Sequence, residues 1–389
     1  MKIEAGIAAR HESIKAFRRD IHRHPETAFE EVRTAALVAE RLQACGIEVH
    51  TGLAETGLVG VLRRGNSNRA VGLRADMDAL NLTEHNDFEH RSSIDGKMHG
   101  CGHDGHTAML LGAAEHLAAK ENFNGTVYFI FQPAEEGGGG GKRMIEEGLF
   151  ERFPVEGVYG MHNMPGLGVG HIAASSGPVM ASADVFIITI TGTGGHAAFP
   201  HKTVDPVLIA GEIIVALQTI VARNTDPLHS AVVSVTMIAA GEARNIIPET
   251  ATLTGSARTF TAEMRRLVEV NMKRMIEGIA AAHGATASLD YEHGYPATVN
   301  HRLESEIAAR AAAAAIGAEN VVHDFAPMMG AEDFSYMLEE RPGCYVFIGN
   351  GEGDAHPMCH SPDYDFNDDI LPIGMSYWVR LVEEVLGPA

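Results

Sequence analysis

Residues 125–133, G-T-V-Y-F-I-F-Q-P, are a continuous apolar run of strand length and composition. A strand covered on both faces of a parallel sheet has that character. Ala70 to Asp76, Val155 to Met161 and Gly343 to Gly349 read the same way. Thr27 to Cys45, stopped by Gly46, and Asp104 to Lys120 read as helices, so this part of the chain alternates helix and strand in α/β fashion.

Around Gly177-Pro178 the pattern changes. Ala183 to Thr191 reads as a strand, Asp205 to Ala222 as a helix, and Ser230 to Ala240 and Ala251 to Thr259 as strands. Met264, Val268, Met272, Met275 and Ile279 recur at helical spacing, and Ala285 to Tyr291 can supply a last strand. The order β-α-β-β-α-β is that of the ferredoxin-like split motif. The expected fold is an α/β domain in two pieces, residues 1–180 and 294–389, carrying an inserted α+β domain at 181–293.

The chain has 389 residues, enough for a large core and two domains. A formal net charge of -21 opposes binding to nucleic acid phosphates or anionic lipid, which leaves a small molecule as the expected partner. Four cysteines do not make a disulfide framework, and the first residues lack the apolar core of a secretion signal, so a reducing cytoplasm is expected. No apolar run approaches the length of a membrane span, and a soluble protein with no membrane partner is expected.

The chemistry concentrates in residues 98–106, M-H-G-C-G-H-D-G-H. Cys101 and His103 are two apart, so a looped backbone can turn both inward, and Gly100, Gly102 and Gly105 permit that path. A thiolate beside an imidazole points to zinc first. Glu135 and Glu136 follow the buried run at the end where open α/β sheets place ligands, so one could bind metal and the other address water. The bland alternative is a solvated turn at a helix start. His162, in Y-G-M-H-N-M-P-G, and His360, in a loop before the last helix, are further candidate ligands, with His360 preferred over Cys359 because Cys101 already supplies the soft donor. Asp76 and Asp78 could bind metal or orient a ligand histidine, and Asp76 is favoured for orientation. Gly192 to His196 is a poor dinucleotide loop, since Phe199-Pro200 interrupts the helix that should follow.

Taken together, R-A-D-M-D-A-L (74–80), M-H-G-C-G-H-D-G-H (98–106), Q-P-A-E-E-G (132–137), M-H-N-M-P-G (161–166), G-T-G-G-H-A-A-F-P-H (192–201), A-R-N-I-I-P (243–248) and G-A-E-D-F-S-Y (330–336) resemble the M20 metallopeptidase family. The likeness is close to its amidohydrolase branch of hippurate hydrolases, N-acyl-amino-acid amidohydrolases and indole-acetyl-amino-acid hydrolases. It implies a zinc-exopeptidase-like catalytic domain with a mixed central sheet, and an inserted ferredoxin-like lid and dimerisation domain. It further implies that Cys101, His103, Glu136, His162 and His360 hold two divalent metals, Cys101 bridging, with Zn2+ first and Mn2+ or Co2+ as alternatives. Glu135 would be the general base that takes a proton from water and returns it to the departing amine. His196 would stabilise the oxyanion, and Asn245 and Arg258 would bind substrate polar groups, with Arg244 an alternative to Arg258.

The implied activity is hydrolysis of an N-acyl amino acid by a homodimer or homotetramer assembled through the lid domain. A dipeptidase, an N-carbamoyl amidohydrolase and a non-catalytic metal-binding dimer are the competing readings. Departures from the branch are small: Gly100 replaces a usual alanine, Asn81 a common proline, and Cys359 precedes the last ligand.

Overall fold

The computed structural model describes residues 3–120, 122–353 and 357–388. The chain divides into two compact units, Met1–Val179 with Val299–Ala326 and Asp333–Ala389, and Met180–Thr298 with Pro327–Glu332.

The first unit is built on an eight-stranded mixed sheet in the order Glu48–Leu53, Gly57–Arg64, Gly125–Gln132, Ala70–Asp76, Gly157–Pro165, Gly343–Gly351, Ile172–Ala173, Val321–Val322. Its four central strands are buried at every position, as an apolar run without alternation requires. Helices His103–Ala118, Arg302–Ile316 and Leu371–Leu386 supply much of the cover. Side chains such as Phe129, Phe131 and Trp378 are no more than 1 % exposed, and burial of each stabilises the core by about 1.5–3 kcal/mol. Ala70–Asp76 runs parallel to both Gly125–Gln132 and Gly157–Pro165, and Asp76 pairs with Gln132. The carboxyl ends of these strands therefore share one edge of the sheet, where an open α/β fold leaves room for a ligand.

The helix expected from Thr27 begins at Val32 instead. Phe29 takes a left-handed φ of 63°, which no helix accommodates. Glu26 caps the shorter helix, its carboxylate accepting the backbone N–H groups of Arg33 at 2.9 Å and Thr34 at 2.8 Å.

The second unit carries a four-stranded antiparallel sheet in the order Ala231–Ala240, Thr250–Thr259, Asp184–Thr191, Thr286–His293. Together with helices Pro206–Thr219 and Ala262–Ala282 this is the split β-α-β-β-α-β arrangement. Ile209, Ile213 and Leu217 from one helix, and Met264, Val268, Met272 and Ile276 from the other, are buried in one core with Phe186, Ile188 and Leu253 of the sheet. Asp205 and Thr261 cap the two helices by accepting from the Val207 and Met264 N–H groups.

Mean hydropathy singles out one helix that run length does not. Pro206–Asn224 is helical throughout and reaches a mean hydropathy of 1.6, enough in length and composition to cross a membrane. Glu212 and Gln218 interrupt the apolar run, while the surrounding Val, Ile, Leu and Ala keep the mean high despite them. In this fold its inward face packs on the sheet of the second unit.

Candidate metal centre

Residues 98–106 turn into helix His103–Ala118 at Gly102, whose φ is 93°. Glycine is required there twice over. A Cβ at Gly102 would sit 2.3 Å from Asn163 Oδ1 and 2.5 Å from the Tyr364 hydroxyl, and a side chain would resist the left-handed backbone. The second strand–helix passage, 132–141, is held by Gly140, where a Cβ would lie 1.8 Å from the Pro133 carbonyl oxygen.

These passages bring the expected donors of the first unit together. Ligand atoms of Cys101, His103 and His162 lie within 4.8 Å of one another, and so do those of Cys101, Glu136 and His360. Cys101 belongs to both triads. His162 Nε2 is 3.3 Å from Cys101 Sγ, and His360 Nε2 is 3.0 Å from Glu136 Oε1. Glu135 also groups with His103 and Glu136. His162 lies within its strand rather than at its end, since Gly157–Pro165 continues to Pro165.

The donor set fits a cation on two observations. His103 Nε2 is buried and has no hydrogen-bond partner among the described residues, while it faces Asp76 at 3.8 Å and Glu136 at 3.9 Å. The surroundings also hold an excess of negative charge. Burial disfavours protonation of His103, yet Asp76, Asp78 and Glu136 outweigh it and hold its pKa well above the ordinary value. Contact with Cys359, burial, and the nearby charges of Glu136 and Glu135 push the Cys101 thiol up. Burial and the neighbouring His106 push His162 well below its ordinary value, which leaves a neutral imidazole with a lone pair to offer.

The orientation expected of Asp76 belongs to its neighbour. Asp78 Oδ1 accepts from His103 Nδ1 at 3.2 Å, and Asp78 Oδ2 accepts the Glu136 N–H at 2.9 Å. One carboxylate thus orients a candidate ligand histidine and ties down the backbone of a candidate ligand glutamate. Asp76 instead contacts His106 Nδ1 and Arg74 Nη1, both at 2.7 Å. The two aspartates are separated by one residue, and sequence alone could not say which side of the strand end faces the histidine. Asp78→Asn is expected to lower metal affinity about 10- to 100-fold with the fold retained. Unchanged affinity by titration calorimetry would remove the orienting role.

Several contributors escaped the sequence reading. His106 sits three residues after His103 on the same helix, and this spacing could have revealed it. Its Nε2 accepts the Asn163 N–H at 3.0 Å. Glu31 had no such signal. Fully buried, it accepts the N–H groups of Phe29 at 3.1 Å and Ala134 at 2.9 Å and the Thr56 hydroxyl at 2.6 Å. Ala134 has a left-handed φ of 53°, costing about 1–2 kcal/mol for a non-glycine residue. Glu31 thereby holds the bend that presents Glu135 and Glu136.

Behind the motif, Asp104 is fully buried beside His22 Nδ1 at 2.9 Å and Arg18 Nη1 at 3.3 Å, and His22 Nε2 meets Glu84 at 3.3 Å. Burial opposes protonation of His22, but the Asp104 and Glu84 hydrogen bonds outweigh it and raise its pKa to about 9. For a raised histidine the stabilisation is complete below the unfolded value near 6.5 and is lost as pH rises through about 9. Urea midpoints should therefore fall between pH 6.5 and 9 by the equivalent of roughly 3 kcal/mol. His22→Gln should flatten that slope, and a variant with the wild-type slope would remove His22 as its source.

The remaining expected residues lie in the second unit. His196 is exposed on a two-residue strand opposite Ile246, and the Ala197 N–H donates to the Asn245 carbonyl at 3.0 Å, so His196 and Asn245 are neighbours. Arg258 is half-buried on strand Thr250–Thr259, paired with Val232.

Comparison with known proteins adds three findings. A family model described as "Peptidase family M20/M25/M40" matches residues 72–384. The chain is 43% identical over 369 residues to the hippurate hydrolase of Campylobacter jejuni, with 95% of each chain covered, and 39% identical over 379 residues to the N-acetylcysteine deacetylase of Bacillus subtilis, with 97% of each covered. Among solved structures it resembles the YXEP protein of Bacillus subtilis, described as a dinuclear metal binding peptidase from the M20 family, with a TM-score of 0.87, 35% identity, and 97% of this chain and 99% of that chain covered.

Proposed function

Because this chain belongs to peptidase family M20/M25/M40, we propose that it hydrolyses the amide bond of N-acyl amino acids, releasing a carboxylic acid and an amino acid. It is a metal-dependent amidohydrolase by its family and relatives. The observation that carries the proposal is the pair of donor triads meeting at Cys101 with Glu135 beside them. Hippurate and N-acetylcysteine, named in two relatives, are both N-acyl amino acids, which supports the substrate class.

In this reading Cys101, His103, Glu136, His162 and His360 would hold the two metals, with Cys101 common to both donor triads. The thiolate and three imidazoles favour Zn2+, with Mn2+ or Co2+ as alternatives. The metals, when bound, acidify a water and polarise the amide carbonyl. Glu135 takes the water's proton through its carboxylate and then delivers it to the departing nitrogen, serving as base and then acid. Asp78 keeps His103 Nε2 aimed inward by holding Nδ1. We assign to His196 the oxyanion contact and to Asn245 and Arg258 the polar groups of the substrate, Arg258 through its planar fork.

Assembly as a homodimer or homotetramer through the second unit is part of the same proposal. An edge strand, Ala231–Ala240, exposing Met237 at 65% and Ile238 at 63%, supports it.

The test is amine release from N-benzoyl, N-acetyl, N-lauroyl and indole-acetyl amino acids, before and after chelation and metal return. Release that chelation abolishes and metal restores is the expected result. Metal-loaded protein that cleaves only dipeptides or N-carbamoyl amino acids would overturn the substrate class.

A further inference from the structure

Cys359 plays no part in the chemistry above, yet it sits directly against Cys101. Its Sγ lies 3.7 Å from the Cys101 carbonyl oxygen and 3.7 Å from Asn163 Nδ2. The backbones are pinned side by side, the His360 N–H donating to the Gly100 carbonyl at 2.7 Å. Cys359 is half-buried against the core, while Cys45 is exposed at the end of helix Val32–Ala44 and Cys344 is buried in strand Gly343–Gly351. All four cysteines are free.

We propose that Cys101 and Cys359 form an oxidation site at which a peroxide closes a reversible disulfide, removing the shared sulfur donor from the metal centre. The consequence for metal rests on the reading of Cys101 as a ligand, whereas formation of the disulfide does not. The more accessible Cys359 sulfur attacks one peroxide oxygen, giving a sulfenic acid and one water. The Cys101 sulfur then attacks the Cys359 sulfur, forming the S–S bond and expelling a second water. Two thiols are oxidised, one peroxide is reduced by two electrons, and both thiol protons end in water. A sulfur in a disulfide has no thiolate charge to share between two cations, so metal affinity must fall. A bound metal occupies Cys101, so metal-free protein closes the bond faster than loaded protein.

The test treats full-length protein, metal-free and Zn2+-loaded, with hydrogen peroxide and reads peptide masses and bound metal, with Cys359→Ser alongside. The expected result is a Cys101–Cys359 cross-linked peptide, release of at least half the bound zinc, and recovery of both thiols and metal binding after reduction. Cys359→Ser should show no cross-link and lose zinc at least 10-fold more slowly. Oxidation confined to Cys45, or irreversible oxidation of Cys101 without the cross-link, would overturn the proposal. A cross-link that leaves zinc bound would overturn the switch and the ligand role of Cys101 together. Failure of the metal reading itself registers separately, as reduced wild-type protein that takes up no Zn2+ before any peroxide is added.

Discussion

Glu135→Gln is expected to retain its metals and lose about 10²- to 10⁴-fold in kcat, the range by which a positioned general base accelerates proton transfer. The substitution changes almost nothing else. Glu135 is only 6 % exposed, and its Oε1 accepts the Asp333 N–H at 3.3 Å, a contact that a glutamine oxygen can keep. Its backbone is set upstream by Ala134 under the hold of Glu31, so side-chain charge does not determine where it points. What glutamine lacks is a group that can take a proton from water and return it to a leaving amine. KM should therefore change little while kcat and kcat/KM fall together. Metal content by atomic emission, measured on the same samples, separates this from loss of the centre. Full turnover with metal bound would remove Glu135 as base, and loss of metal would move it among the ligands.

Arg18→Met is expected to destabilise the protein by about 3–5 kcal/mol, the cost of stranding buried carboxylates by removing their partner. Arg18 is fully buried, with Asp368 at 2.8 Å, Asp365 at 3.0 Å and Asp104 at 3.3 Å around its guanidinium. Asp104 and Asp365 are held below the usual carboxylate range in part by that cation, their own burial acting against them. Methionine fills much of the volume and leaves fully buried Asp104 with His22 as its remaining partner, while Asp368 keeps Arg19 and Asp365 keeps His90. Because Asp104 follows His103 in the chain, the loss should be felt at the metal centre as well. Urea unfolding of metal-free protein checks the stability term, and Arg18→Lys should recover only part of it, since an ammonium cannot address three carboxylates from one planar fork. A midpoint within 0.5 kcal/mol of wild type would sink the argument.

Much of this is legible in the residues themselves. The central strands were legible because burial on both faces leaves a sequence no polar positions to alternate with, as in residues 125–132. The split motif of the second unit was legible because its elements change period cleanly, from two in Asp184–Thr191 to helical in Ala262–Ala282. The donors Cys101, His103, Glu135, Glu136, His162 and His360 could be proposed because sulfur, imidazole and paired carboxylates are unusual beside buried strands. The start of the helix at Val32 was not legible, because the residue that breaks the pattern, Phe29, is not one whose type announces a left-handed backbone.

The sequence by itself determined which elements exist, the class of their packing, and the inventory of groups able to bind a cation, since these depend on local period and residue chemistry. Only the tertiary structure decided how that inventory is shared out. It made Asp78 rather than Asp76 the partner of His103, put the two donor triads on a common sulfur, enlisted Glu31 across 103 positions of chain to hold Ala134, and set Cys359 against Cys101. The reason is geometric: a hydrogen bond or a ligand set depends on distances of a few tenths of an ångström between atoms far apart in the chain. Residue type and spacing do not encode those distances until the sheet register brings the strand ends together.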